Sequence, residues 1–191
     1  MDLGCGTGDL SLLAVKRLKG IGEVVGVDFS AKMLEIAEKK YKGLSLSSPK
    51  TVLRLVCCRA EELPFEEKPY DLAVSAFVLR NIYENIDAIL AGVFKAIKPG
   101  ASIAFLDFTE PPGRLRLWLW RAYMQTATAF YGALLFGKDY PKNYMIESAQ
   151  RFLKVSAFVA KLREIGFENV TMQRFMMGII VLYRATKPEG R

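Results

Sequence analysis

The stretch Asp2-Leu3-Gly4-Cys5-Gly6-Thr7-Gly8-Asp9 reads as the end of an apolar strand, a glycine turn and the first residue of a helix. Glycines in such a turn let the backbone double back and approach a ligand without Cβ interference. About twenty residues further on, Asp28 closes a second strand, Glu23–Asp28, in the register of a ribose-gripping acid in a strand–helix–strand unit. Outward from this pair the same alternation continues. Val52–Cys57, Asp71–Phe77 and Ser102–Phe108 are β-branched or apolar runs that predict strands buried on both faces. Asp9–Leu18, Ala31–Tyr41 and Asp87–Ile97 carry helical spacing between them. Ser30 is placed to cap the second helix, and Lys98-Pro99-Gly100 to stop the third. This is the pattern of an α/β fold with a mostly parallel, Rossmann-like sheet.

After Phe108 the pattern changes. Arg114–Phe136 predicts a long aromatic helix, followed by a Tyr- and Lys-rich connector and a helical stretch over Ile146–Leu153. Ala157–Ile165 predicts a helix ending at Gly166, and Val170–Phe175 and Ile179–Ala185 predict a closing antiparallel hairpin. With the strand that ends at Leu3, seven strands are expected in one domain over residues 1–191, interrupted by a helical insertion at about 110–150.

Composition narrows the chemistry. Hydrophobic residues make up 51% of the 191 and charged residues 25%, enough apolar material for a folded core. The chain has no histidine, so His-based triads, His general bases and His metal ligands are excluded. Its three cysteines are Cys5 and the neighbours Cys57 and Cys58; adjacent strand residues face opposite ways and make a poor metal clamp, so no metal site is expected. The net charge of +7 allows an anionic partner without requiring one. No basic and apolar leader opens the sequence, and the uncharged run 122–136 is shorter than the roughly 20 residues a spanning helix needs. A cytoplasmic protein, peripheral at a membrane at most, is expected.

A dinucleotide site favours G-x-G-x-x-G with a pyrophosphate at the helix start. Here the loop is G-x-G-x-G with Asp2 before it and Asp9 after it. Flanking acids repel a pyrophosphate and suit a cationic ligand such as S-adenosylmethionine, which carries an ammonium and a sulfonium. That cofactor is the expected one.

The sequence resembles the class I methyltransferases and, among them, the ubiquinone/menaquinone biosynthesis C-methyltransferases. The likeness runs through DLGCGTGD at Asp2–Asp9, GVDFSAKML at Gly26–Leu34, AEELPF at Ala60–Phe65, FVLRNI at Phe77–Ile82, IKPG at Ile97–Gly100, LDF at Leu106–Phe108 and the tail from Gly166 to Pro188. The resemblance implies a doubly wound sheet with a reversed final strand. It also implies a prenylated hydroquinone, such as a demethylmenaquinol, as methyl acceptor. By the same likeness Asp2, Gly4, Gly6, Thr7 and Gly8 would pass the methionine part of the cofactor, and Asp28 would hold the ribose. Phe29 and Met33 would pack on the adenine, while Arg59, Ala60 and Ala76 complete the cofactor set. Arg59 departs from the family, which often has an acceptor side chain there, and Ala76 and Val78 stand where serine and glycine are common. Relatives also carry a helical segment and a full first strand before Asp2, so the usual N-terminal segment is expected to be absent.

Methylating such a ring at carbon requires the reduced, deprotonated acceptor, alignment of the ring carbon, and removal of its proton. Arg80 stays charged and so is expected to hold the phenolate or polarise a water, with Asn81 orienting that water. Asp107, at the end of a central strand, is the expected carboxylate base, with Tyr140 and Tyr144 as weaker candidates. On the aromatic helix, Leu117, Trp120, Met124, Ala127, Tyr131 and Leu134 share one face, expected to pack on the core or to roof the acceptor site. Arg114, Arg116 and Arg121 beside two tryptophans would suit peripheral contact with anionic headgroups, and exposed aromatic surface would suit a homodimer. The remaining alternatives are methylation of another small or lipid-like acceptor, such as a phospholipid amine, and a non-catalytic cofactor-binding subunit of a quinone-synthesis assembly. A nucleic-acid substrate is not expected, because the basic residues form no concentrated run.

Overall fold

The computed structural model describes residues 1–18, 22–44, 51–62, 69–122 and 154–190. Seven strands form one sheet: β1 (Asp2–Leu3), β2 (Gly22–Asp28), β3 (Thr51–Cys57), β4 (Tyr70–Ala76), β5 (Ile97–Phe108), β6 (Glu168–Phe175) and β7 (Ile180–Thr186). Their spatial order is β3-β2-β1-β4-β5-β7-β6. β1 to β5 are mutually parallel, and β7 runs antiparallel to both β5 and β6. The expected reversed final strand and closing hairpin are both present.

Helices α1 (Asp9–Arg17), α2 (Ala31–Lys42) and α3 (Ile86–Ala96) follow β1, β2 and β4; α4 covers residues 114–122 and α5 is Val155–Ile165. The sheet is wound on both sides because strand residues alternate faces. On one side, Val24 and Leu53 pack with Leu12 and Val15 of α1. On the other, Val25 and Val27 join the large cluster of α3, α5, β5 and β7, built on Ile89, Leu90, Phe105, Phe158 and Tyr183.

Several local expectations need correction. β3 and β4 are not buried on both faces: Val52 and Leu72 are exposed, because β3 is an edge strand and the helices cover these strands incompletely. Ser30 does sit at the α2 N-cap, but its side chain makes no capping bond; its own N–H donates instead to Asp28 Oδ1 at 2.9 Å. Lys98-Pro99-Gly100 does not follow the third helix as a separate stop. Ile97 already turns extended, and the three residues begin β5, with the Gly100 N–H donating to the Lys187 carbonyl at 3.0 Å. Of the aromatic-helix face, Leu117 and Trp120 pack with Ile179 as core. Met124, Ala127, Tyr131 and Leu134 lie outside the described residues, as do Tyr140, Tyr144, the stretch 146–153 and most of the 110–150 insertion.

Candidate functional site

From β1 the chain winds outward through β2 to β3, then crosses back to place β4 on the other side of β1. Open α/β sheets bind ligands at such a reversal, beyond the carboxyl ends of the strands. A cavity of about 380 Å³ lies there, within the roughly 300–1,000 Å³ typical of small-molecule sites. Its walls come from the strand ends at the reversal: Leu3 and Gly4 at the end of β1, Asp28 and Phe29 at the end of β2, Arg59 and Ala60 after β3, Asn81 and Ile82 after β4.

Asp28 is the polar centre of this cavity. Its Oδ2 accepts the Gly6 N–H at 2.8 Å and its Oδ1 accepts the Ser30 N–H at 2.9 Å, so the carboxylate is locked to the glycine loop and to the start of α2. A carboxylate has about four acceptor positions, which leaves two for a vicinal diol. Phe29, beside it, is exposed and offers a ring face. The glycines explain the closeness of the walls. Gly4 has φ +69°, and a Cβ there would fall 2.3 Å from Val78 Cγ2, so only glycine allows the β1 and β4 ends to meet. At Gly8, φ +80°, a Cβ would meet Ala37 Cβ at 2.8 Å, so this glycine lets α1 begin against α2. A ribose acceptor, an aromatic face and a close glycine wall together fit an adenosyl cofactor.

The two flanking acids stand in different surroundings. Asp9 is solvent-exposed and bound to Lys40 at 2.8 Å; Thr7 joins this knot, donating to Asp9 at 2.8 Å and accepting from Lys40 at 3.0 Å. The Lys40 bond holds the Asp9 carboxyl below the usual carboxylate range. Asp2 is buried and accepts the Ser11 hydroxyl at 2.6 Å; burial raises its pKa, partly offset by that bond. Neither lines the cavity; the acids that do are Asp28 and Glu61. Cys5 is buried and burial pushes its thiol up to about 12, which suits a packing residue and not a nucleophile.

Beyond the cavity, the turn after β4 carries Leu79–Asn81. Phe77 enters it at φ +64°, with its ring 4.7 Å from that of Phe108. Arg80 is buried against the end of β5. Its Nη1 donates to Asp107 Oδ1 at 2.7 Å, its backbone N–H donates to Asp107 Oδ2 at 3.1 Å, and its guanidinium lies 5.2 Å from the Phe108 ring centroid. Asp107 also accepts the Phe108 N–H at 2.7 Å, and its side chain has no exposed surface. Asp107 thus accepts three N–H groups, two of them from Arg80, its paired cation. Asp107, expected as a base, grips Arg80 in this geometry.

Of the sequence-derived site residues, Gly4, Asp28, Phe29, Arg59, Ala60 and Asn81 converge on the cavity. Asp2, Gly6, Thr7, Gly8, Met33, Ala76, Arg80 and Asp107 are not among its described lining, although Gly6 is bonded to Asp28 and Arg80 adjoins Asn81. Sequence reasoning missed Cys58, Glu61 and Ile82 as lining residues. The signal available for them was position, since each follows closely on a strand end. Among the described residues, no group of three Cys, Asp or Glu is arranged to hold a metal ion, and no helix is long and apolar enough to cross a membrane.

Comparison with known proteins agrees with this geometry. The chain is similar to the demethylmenaquinone methyltransferase of Lactiplantibacillus plantarum, at 31% identity over 98% of this chain and 77% of that protein. It is also similar to the ubiquinone/menaquinone biosynthesis C-methyltransferase UbiE of Stutzerimonas stutzeri, at 30% identity over 98% of this chain and 72% of that protein. Among solved structures, a SAM-dependent methyltransferase from Methanosarcina mazei shares the fold with TM-score 0.67 and 21% identity, over 99% of this chain and 92% of that one. The Haemonchus contortus phosphoethanolamine N-methyltransferase 2, solved with S-adenosyl-L-methionine, shares it with TM-score 0.66 and 16% identity, over 98% of this chain and 48% of that one. The family model for the ubiE/COQ5 methyltransferases matches residues 1–187. The chain belongs to the ubiE/COQ5 methyltransferase family, whose methyl donor is S-adenosylmethionine.

Proposed function

We propose that this protein methylates a ring carbon of a prenylated hydroquinone, a demethylmenaquinol or close analogue, in quinone biosynthesis. The observation that carries the reading is the fixed cation beside the cofactor cavity. Arg80 is clamped by Asp107 in the same short turn that puts Asn81 into the cavity wall. A hydroquinone becomes a carbon nucleophile as its phenolate, and a guanidinium held in one place stabilises that charge without reorganising. A neutral amine acceptor gains nothing from a cation there.

Bound in the cavity, S-adenosylmethionine would supply an electrophilic methyl group. In this reading Asp28 holds the ribose hydroxyls, Phe29 and Met33 pack on the adenine, and the backbone of Ala60 reads its edge. Asp2, Gly4, Gly6, Thr7 and Gly8 shape the methionine end, directly or through the loop. Arg80 holds the phenolate oxygen, and Asn81 orients a water that takes the ring proton. Positioning two reactants for in-line attack is itself worth up to about 7–11 kcal/mol. Residues 1–191 act as one methyltransferase domain. A cytoplasmic enzyme that meets a lipophilic substrate at the bilayer surface accords with this chemistry.

The test is methyl transfer from labelled S-adenosylmethionine to a reduced short-chain demethylmenaquinol, with phosphoethanolamine lipid as the competing acceptor. Ring methylation that falls steeply in Arg80→Ala, with cofactor affinity retained, is the expected result. Transfer to the lipid amine and none to the hydroquinone would overturn the reading.

A further inference from the structure

On the α4 face that the sequence pattern singled out, Trp120 is buried and Leu117 partly so, yet the opposite face of the same helix is also apolar. Leu115, Trp118 and Leu119 stand at three- and four-residue spacing, on one side of the helix, and are 70%, 65% and 48% exposed. Next to them is the tip of the β6–β7 hairpin, where Met176 and Met177 are each 68% exposed. Both methionines adopt positive φ, +49° and +59°, a conformation that L side chains rarely hold. The two elements are pressed together. A Cβ on Gly178 would fall 2.6 Å from Pro112 Cδ, and Met177, Leu119 and Arg116 line one small apolar recess with Trp120 and Ile179. Leu119 and Met177 thus join the exposed apolar sides of the two elements, and exposed apolar surface of this kind marks an interaction site.

The charges around it choose the partner. Arg114, Arg116 and Arg174 border the surface, and no Asp or Glu occurs in residues 111–120 or 172–180. The neighbouring acid, Glu110, is bound to Arg121 at 2.7 Å. A symmetric second copy would bring arginines against arginines with no acid to answer them. An anionic bilayer answers all three and receives the apolar side chains as well. The surface also lies at the functional end of the sheet, since α4 follows the carboxyl end of β5, and Phe108 pairs with Ile180 at the start of β7.

We propose that α4 and the Met176-Met177 tip form a docking face for anionic lipid, which seats the cofactor cavity at the membrane surface. Its use in catalysis rests on the prenylated-acceptor reading, because such a tail would stay in the bilayer while the ring reaches the cavity.

The test is co-sedimentation of the full chain with phosphatidylglycerol/phosphatidylcholine vesicles and with phosphatidylcholine alone. Binding to the anionic vesicles, weakened by salt, is expected. Trp118→Ser with Met177→Ser, and separately Arg114→Gln with Arg116→Gln, should each weaken it at least about tenfold. No binding to anionic vesicles, or binding that neither pair of substitutions changes, overturns the proposal. So does a stable dimer in sedimentation velocity that Trp118→Ser abolishes, since the occupant would then be a second copy. Failure of the hydroquinone reading would appear separately, as absence of methyl transfer by the wild type in detergent.

Discussion

Asp28 and Asp107 are the same residue type at the same kind of place, the carboxyl end of a strand, and each accepts backbone N–H groups. What differs is the neighbour that takes the remaining acceptor positions. Beside Asp28 stands a cavity, so the carboxylate keeps positions for a ligand. Beside Asp107 stands Arg80, and no surface of the acid is left open. Strand-end topology offers a carboxylate to the site, and the next side chain decides whether it stays open to a ligand or builds the wall.

The largest expected effect breaks this contrast on the closed side. Asp107→Ala leaves the buried Arg80 charge uncompensated, and removing one member of such a pair costs about 3–5 kcal/mol of stability. Asp28→Ala, on a half-open carboxylate, should cost clearly less in the same urea titration. Equal losses would mean that the two acids are equally structural.

A middle-sized effect probes the seam where the two halves meet. Gly4→Ala drives a methyl into Val78 and fixes a strained φ, and overpacking of this kind costs about 1–3 kcal/mol. Val78→Ala should return part of that loss. A double-mutant cycle showing no coupling between the two positions would contradict the close contact.

The smallest effect lies on the outer rim of the cofactor half. Lys40→Ala removes an exposed pair, worth about 1 kcal/mol or less. Because Lys40 holds the Asp9 carboxyl below its ordinary range, the contribution is complete above that range and is lost as pH falls through the lowered value. Thermal melts of wild type and Lys40→Ala should therefore differ slightly at neutral pH and converge in acid. A difference that persists in acid would mean that Lys40 works through packing.

Much of the cofactor half was legible because its signals are local. The glycine run, the spacing to Asp28 and the apolar alternation are properties of short windows, and β2 and α2 appeared within a residue or two of their expected bounds. The hairpin of β6 and β7 was legible for the same reason. What sequence reasoning missed was set by tertiary partners. Asp9 meets Lys40 across 31 positions and Asp107 meets Arg80 across 27, so neither acid's role follows from its own neighbourhood. Ser30 shows this at short range: an N-cap residue at the right place, whose expected capping bond is absent while Asp28 takes its N–H.

In the proposed reading Asp28 is the open acid, holding the cofactor, and Asp107 the closed one, holding Arg80. The most direct measurement is calorimetric titration of S-adenosylhomocysteine into wild type, Asp28→Ala, Asp28→Asn and Asp107→Asn. Losing charged hydrogen bonds of about 1.5–3 kcal/mol should weaken both Asp28 variants by roughly ten- to a hundredfold, while folded Asp107→Asn binds as tightly as wild type. Unchanged affinity in the Asp28 variants, or an equal loss in Asp107→Asn, would contradict the account.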